Sequence, residues 1–337
     1  MTRSGAGSSI KAVAALAGVS IATVSRVVNG VANKASAETT ARVRSAVAAL
    51  DYRPASAGRA LRQRTSRLVA VLAANLANPA MAAIAASAEI ALRKRGLVMV
   101  LCDTHDRPAL QDEYLKEMQA QQARAIVLLA AVESPMLAAM RGGPTPIVFV
   151  NRRDPAGSAG LHVGIDNAAA GREVAVHCLD AGARTIAIIH GSLASSATSE
   201  RVRAVREALA ARGVPHASVV VETAEDDDHL AIGYRSAKRL LERSSPVDAV
   251  ICTSDLIAFG AHRRYVEDGG APPRLVGFDD SPLNDWIAPW LTSVRIPYEN
   301  YGEAIVSLLA ADDRAPAARI VPYRLMVRDG PSRNRGR

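Results

Sequence analysis

The chain predicts a small all-α head, a helix-turn-helix followed by a short basic stretch, joined to a two-lobed α/β body with parallel sheets. Three observations carry this. The net positive charge is confined to the first fifth of the chain. A glycine-centred turn separates two short apolar-faced helices near the N-terminus. From Leu68 onward, strand-like apolar runs alternate with helical stretches of about ten to fifteen residues, the pattern of parallel sheets covered on both faces.

The charge is informative once located. The chain has 337 residues, 41 basic and 33 acidic side chains, and a net charge of +8. Residues 1–66 carry Arg3, Lys11, Arg26, Lys34, Arg42, Arg44, Arg53, Arg59, Arg62 and Arg64 against only Glu38 and Asp51. The remaining residues hold 31 charges of each sign, so the excess belongs wholly to the head. A basic head on a neutral body points to a polyanionic partner for the head alone.

Within the head, Ile10, Val13, Ala14, Leu16 and Ala17 give a first helix its apolar stripe. Gly18 suits a left-handed turn, and Val19 is a small apolar plug. Ser20 caps a second helix, Ile21–Asn29, which Asn29-Gly30 ends. A third helix starts at Ala35-Ser36, turns Val43, Val47 and Leu50 inward, and stops before Pro54. Residues 55–62 form a short, Ala-rich basic stretch, and 63–66 read as a linker.

The second helix exposes short or polar side chains at its start: Ile21, Ala22, Thr23, Ser25 and Arg26. Such residues can approach base edges and phosphates in a major groove, and Arg26 suits bidentate reading of guanine. Ser20, Thr23, Asn29 and Tyr52 suit contacts that position the backbone.

In the body, strands are expected at 68–72, 97–102, 125–129 and 146–150, with helices at 79–95, 109–121 and 134–141 between them. A second series has strands at 161–165, 185–189, 248–252 and 274–277, with helices at 168–181, 198–212, 230–243 and 256–268. The Gly/Ala/Ser/Pro-rich segment 154–160 is the expected junction.

Other classes find little support. Cys102, Cys178 and Cys252 lie in apolar stretches without CxxC spacing, which suits buried thiols in a reducing cytosol. The first residues hold no apolar segment of signal-peptide length, and no run approaches membrane-spanning length, so a cytoplasmic protein is expected. There is no GxSxG elbow, phosphate loop, dinucleotide fingerprint or HExxH, and the seven histidines lack metal-ligand spacing. Neither enzyme activity nor a cofactor is expected.

The run IKAVAALAGVSIATVSRVVNG, then SAETTARVRSAVAALDYRP and ASAGRALR, closely resembles the head of the lac repressor/galactose repressor family of bacterial transcription regulators. The resemblance continues through NLANP (75–79), VNR (150–152), VDAVICTSDLIAFGA (247–261), LVGFDDSPL (275–283) and LTSVRIP (291–297). It implies a homodimer on a pseudo-palindromic double-stranded operator, usually as a repressor. It also implies that residues 55–62 form a hinge helix which folds on the DNA and inserts Leu61 as a minor-groove wedge. Gly58, where the family has Ala, weakens that helix.

For the body, the resemblance implies a periplasmic-binding-protein-like pair of lobes with a small-molecule effector, a sugar or sugar acid, in the cleft between them. The implied organisation is a head at 1–54 and a hinge and linker at 55–66. One lobe spans 67–160 plus about 292–314, the other 161–291 plus about 315–330, with a tail at 331–337. The implied pocket contains Asn151, Arg201, Ser254, Asp279 and Trp286, the last to stack on a sugar face. Asp255 is expected to cap the helix it begins. Arg152 and Arg153 either join Arg201 in favouring an anionic ligand or are solvated loop charges. Two departures stand out: the family's Asn-Pro-Phe-Phe is Asn78-Pro79-Ala80-Met81 here, and its usual Gly after Arg201 is Ala204.

Overall fold

The structure, a computed structural model, describes residues 9–28, 35–52, 66–215, 218–224, 228–311 and 315–328. It divides into two compact units, Met1–Ser66 and Arg67–Arg337.

The head contains α1 (Ile10–Ala17), α2 (Ile21–Val28) and α3 (Ala37–Ala49). Ser9 caps α1 by accepting from the Ala12 N–H (3.2 Å), and Ser36 caps α3 by accepting from Thr39 (3.2 Å). Gly18 ends α1 at φ 63°, a left-handed conformation that costs glycine nothing. The chain then turns through 102° into α2, within the range of a helix-turn-helix. Val13, Ala14, Ala17, Val24, Val43 and Ala46 form the head's core, with Val27, Val28 and Tyr52 packed on it. Asn29 and residues 53–65, including Gly58 and Leu61, lie outside the described residues.

The body has two six-stranded sheets. The first orders its strands β11 (Ala317–Ile320), β5 (Leu161–Gly164), β4 (Ile147–Val150), β3 (Ala125–Leu129), β1 (Leu68–Ala73) and β2 (Val98–Asp103). All its pairings are parallel. The second runs β12 (Arg324–Met326), β10 (Thr292–Arg295), β9 (Arg274–Asp279), β8 (Ala249–Cys252), β6 (Ile186–Ile189) and β7 (Val219–Glu222). Only its β10–β12 edge pair is antiparallel.

Helices cover both faces: α4 (Pro79–Lys94), α5 (Pro108–Ala120), α6 (Pro135–Met140) and α7 (Asn167–Asp180). After them come α8 (Ser196–Ala211), α9 (His229–Leu241), α10 (Asp255–Glu267), the one-turn α11 (Asn284–Ile287) and α12 (Tyr301–Leu309). Because both faces are covered, β3, β6 and β8 are buried along their whole length. No single described helix is long and apolar enough to cross a membrane.

The crossovers fall later than expected. Leu161–Gly164 pairs beside β4, so it belongs to the first sheet rather than opening the second. Thr292–Arg295 pairs beside β9 in the second sheet, and Ala317–Ile320 pairs beside β5 in the first. The chain therefore changes lobe between Gly164 and Asn167, between Arg295 and Tyr301, and between Ile320 and Arg324, not near 160, 291 and 315.

The cysteines give a simple check on the core. Cys178 and Cys252 are fully buried, and burial pushes the Cys178 thiol up to about 12. Cys102 is half-buried on β2. Alkylation of the native protein should label Cys102 alone, and denaturant should release the other two. Native labelling of Cys178 would contradict this packing.

Candidate functional site

Two regions carry the residues expected to act. In the head, Ser20 and Thr23 share a hydrogen bond (2.9 Å), and Ser20 Oγ also accepts the Thr23 N–H (3.2 Å). Ser25 is only 8% exposed, so it does not stand with the accessible side chains of α2 as expected. Ile21, Ala22 and Arg26 are exposed along that helix. Tyr52 is half-buried against the head's core.

In the body, functional side chains gather where the parallel strands of both sheets end, the usual ligand position in such folds. Strand ends there hold strained backbone. Asp106, Ala130, Asn151, Asp279 and Asp280 have φ of 54°, 70°, 63°, 115° and 45°. Left-handed conformations at non-glycine residues cost energy and cluster at ligand sites.

The lobes meet at this level. Arg153, after β4, donates its backbone N–H to Ser196 Oγ (2.8 Å) and its Nε to Glu200 (2.9 Å), both on α8 of the second lobe. Beside it, Arg152 forms a two-pronged pair with Asp106 at 2.7 and 3.0 Å. His229, at the start of α9, bonds Ser254 Oγ through Nδ1 (2.9 Å). Burial holds the His229 imidazole below its ordinary range, and the Arg152 guanidinium from the other lobe depresses it further. Nuclear magnetic resonance should therefore show His229 neutral at pH 7 and titrating below the usual histidine midpoint of about 6.5. Arg152→Ala should raise that midpoint, and an unmoved midpoint would contradict the cross-cleft proximity.

Arg201, on α8, is 9% exposed. Its Nε donates to Asn167 Oδ1 (2.8 Å) and an NH1 hydrogen to Thr253 O (2.8 Å), while the guanidinium carbon lies 4.3 Å from the centre of the Phe278 ring. Asp279, at the end of β9, accepts from Tyr298 Oη (2.7 Å). Burial pushes the Asp279 carboxyl above the usual carboxylate range, and Arg201 is the largest influence opposing that rise. Asn151 sits at the end of β4 and is half-buried.

Three expectations change. Trp286 is 84% exposed on α11, whose polar links run to Asp255, Asp280 and Arg328. It is no part of an enclosed wall. Ser254 caps α10 and holds His229, so its hydroxyl is engaged within its own lobe. Asp255 is not the cap of that helix. It is buried and accepts from Ser293 Oγ (2.6 Å), Asn284 Nδ2 (2.6 Å) and the Asp280 N–H (2.7 Å), fastening β9, β10 and α11 together.

Asp106, His229 and Tyr298 were not singled out from sequence. Tyr298 follows LTSVRIP directly, so its nearness to that motif was an available signal. Asp106 and His229 gain their roles through long-range partners and left none.

A basic helix-turn-helix unit beside a two-lobed ligand-binding type of body defines a class of DNA-binding regulators. Residues 9–55 match the domain of bacterial regulatory proteins of the lacI family, and residues 175–330 match the periplasmic binding protein-like domain. The transcriptional regulator CelR of Thermobifida fusca is 33% identical over 331 residues, covering 94% of this chain and 95% of CelR. The ribose operon repressor of Halalkalibacterium halodurans is 28% identical, covering 95% and 96%. Among solved structures, the lac repressor dimer bound to operator and the anti-inducer ONPF superposes with a TM-score of 0.80 at 23% identity, covering 96% of this chain and 98% of that one. A CelR–cellobiose complex gives 0.70 at 28% identity, covering 96% and 100%. The chain belongs to the lacI family of bacterial regulatory proteins. It is a helix-turn-helix transcription regulator.

Proposed function

We propose that this regulator is a cytoplasmic repressor which binds a pseudo-palindromic operator as a homodimer and is controlled by a sugar-class effector between its lobes. It acts by binding rather than by catalysis. The observation that carries the effector reading is the nearness of Arg201 to Asp279 at the end of β9, with Arg153, after β4, bridging the lobes to Glu200. A ligand that prefers one cleft geometry shifts the spacing of two operator-bound heads, which couples the two sites reciprocally. Leu283, Trp286 and Ile287, exposed together on and beside α11, support a surface for the second copy.

Charge pairing supports a neutral ligand over a sugar acid. Arg152 is paired with Asp106 and Arg153 with Glu200, while Arg201 spends its hydrogen bonds on Asn167 and Thr253. An anion at Arg152 would have to displace Asp106 from a two-pronged, charge-assisted pair. Calorimetric titration of the whole chain with neutral sugars and their aldonic acids tests this. A neutral sugar should bind, and its acid should bind more weakly. Tighter binding of the acid overturns the neutral assignment, and silence across a broad panel overturns the sugar reading.

A further inference from the structure

We propose that the Tyr301 hydroxyl is a binding group for the effector: it bonds a ligand hydroxyl beside Asp279, and so selects neutral sugars that carry a hydroxyl there. This rests on the effector reading above and names a residue and a specificity which that reading leaves open. Tyr301 begins α12 and is fully buried. Among the described residues, its Oη is the one buried hydroxyl with no hydrogen-bond partner. A buried phenol without a partner costs stability, and phenylalanine would fill the same space without that cost. Packing therefore accounts for the ring and not for its oxygen.

The surroundings point to a ligand. Tyr298, three residues earlier, packs edge-on with ring centroids 5.4 Å apart and donates its own hydroxyl to Asp279 Oδ1 at 2.7 Å. Burial pushes the Tyr301 phenol above its ordinary range, and Arg201 and Asp279 are near enough to act on it in opposite senses. The orphaned oxygen thus stands beside the charged groups at the end of β9. Ala80 and Met81, where the resemblance leads one to expect two phenylalanines, share an apolar cluster with both tyrosines. The tyrosines restore aromatic bulk there, but they bring two hydroxyls, and only that of Tyr298 has a partner within the protein. Tyr301 also ends the crossover from the second lobe to the first, so a change in the angle between the lobes alters what covers it. A ligand hydroxyl suits this place because it accepts from the phenol while donating to a carboxylate. An ammonium has no lone pair for the phenol, and a carboxylate would meet the Asp279 charge.

Tyr301→Phe isolates the oxygen. Without ligand, the variant should unfold no lower than the unaltered protein and up to about 4 °C higher, because an unpaired buried hydroxyl has been removed. A midpoint lower by about 2 °C or more would show the hydroxyl bonded within the free protein and overturns the inference. Both whole chains are then titrated calorimetrically with D-glucose, D-galactose, D-xylose, D-ribose and cellobiose, and the tightest of these is followed by its monodeoxy analogues. One analogue should bind the unaltered protein at least about ten-fold more weakly than its parent. The variant should bind that parent and that analogue equally, each about ten-fold more weakly than the unaltered protein binds the parent. A variant with a merely distorted cleft would weaken both and keep their ratio, which overturns the inference. So does a variant that holds the parent as tightly as the unaltered protein does. Silence of the unaltered protein toward every sugar overturns the effector reading itself, and this inference with it.

Discussion

Alanine at Gly260 is expected to destabilise the body by about 3 kcal/mol, among the largest effects of a single methyl group in this chain. Gly260 lies on α10 and Gly233 on α9, and the two helices touch backbone to backbone there. A β-carbon at Gly260 would overlap the Leu230 carbonyl, and one at Gly233 would overlap the Ile257 carbonyl. Neither obstacle is a flexible side chain that can swing away. The helices must separate instead, and Ile257, Ala258 and Ala261 lose packing against the core beneath them. Thermal unfolding should shift down by about 5 °C or more. A melting temperature within 1 °C of the unaltered protein would show that the helices do not cross this closely.

The second large effect is functional. Arg201→Ala should lower effector affinity by at least about 100-fold, the scale of removing a charged group that makes several buried hydrogen bonds. The guanidinium bridges Asn167 and Thr253 and offsets the Asp279 carboxylate. Without it, Asp279 keeps its burial and loses its cation, so its carboxyl should rise further above the usual range. Arg201→Lys should restore little, since one ammonium cannot reproduce the planar fork that reaches both partners. A promoter reporter should then stay repressed at effector levels that release the unaltered regulator. Normal release by the alanine variant would remove Arg201 from the site.

Both effects depend on long-range placement, and this is where the sequence was least legible. The strands of the parallel sheets were readable because burial on two faces leaves continuous apolar runs, such as Ala125–Leu129 and Ile186–Ile189. The short strands β7, β10, β11 and β12 were not singled out as strands. Ala317–Ile320 is mostly exposed and Arg324–Met326 is a three-residue edge, so neither has a periodic signal of its own. Their places are fixed by partners far away in the chain, and the lobe crossovers were set too early for that reason.

The site divides along the same line. Asp279 was reachable because it sits in LVGFDDSPL, Arg201 because it precedes the position of the family's usual Gly, and Asn151 because it lies in VNR at the end of a strand. His229 and Asp106 were not, since their meaning comes from Ser254 and Arg152, 25 and 46 residues away. Trp286 misled because an aromatic near GFDD resembles a stacking wall, yet α11 carries it outward to 84% exposure. Ser25 misled for the opposite reason: a small polar residue among apolar ones reads as exposed, and here it is buried. The charge segregation needed no structure at all, because net charge is a property of composition rather than of packing.

The most direct test of the central claim is binding of the whole chain to a labelled nonspecific DNA duplex, followed by fluorescence anisotropy at about 50 and 200 mM salt. A basic head that neutralises six or more phosphates should bind at the lower salt and lose about 10³-fold in affinity at the higher one. Absence of binding at low salt, or affinity indifferent to salt, would contradict the assignment of this protein as a DNA-binding regulator.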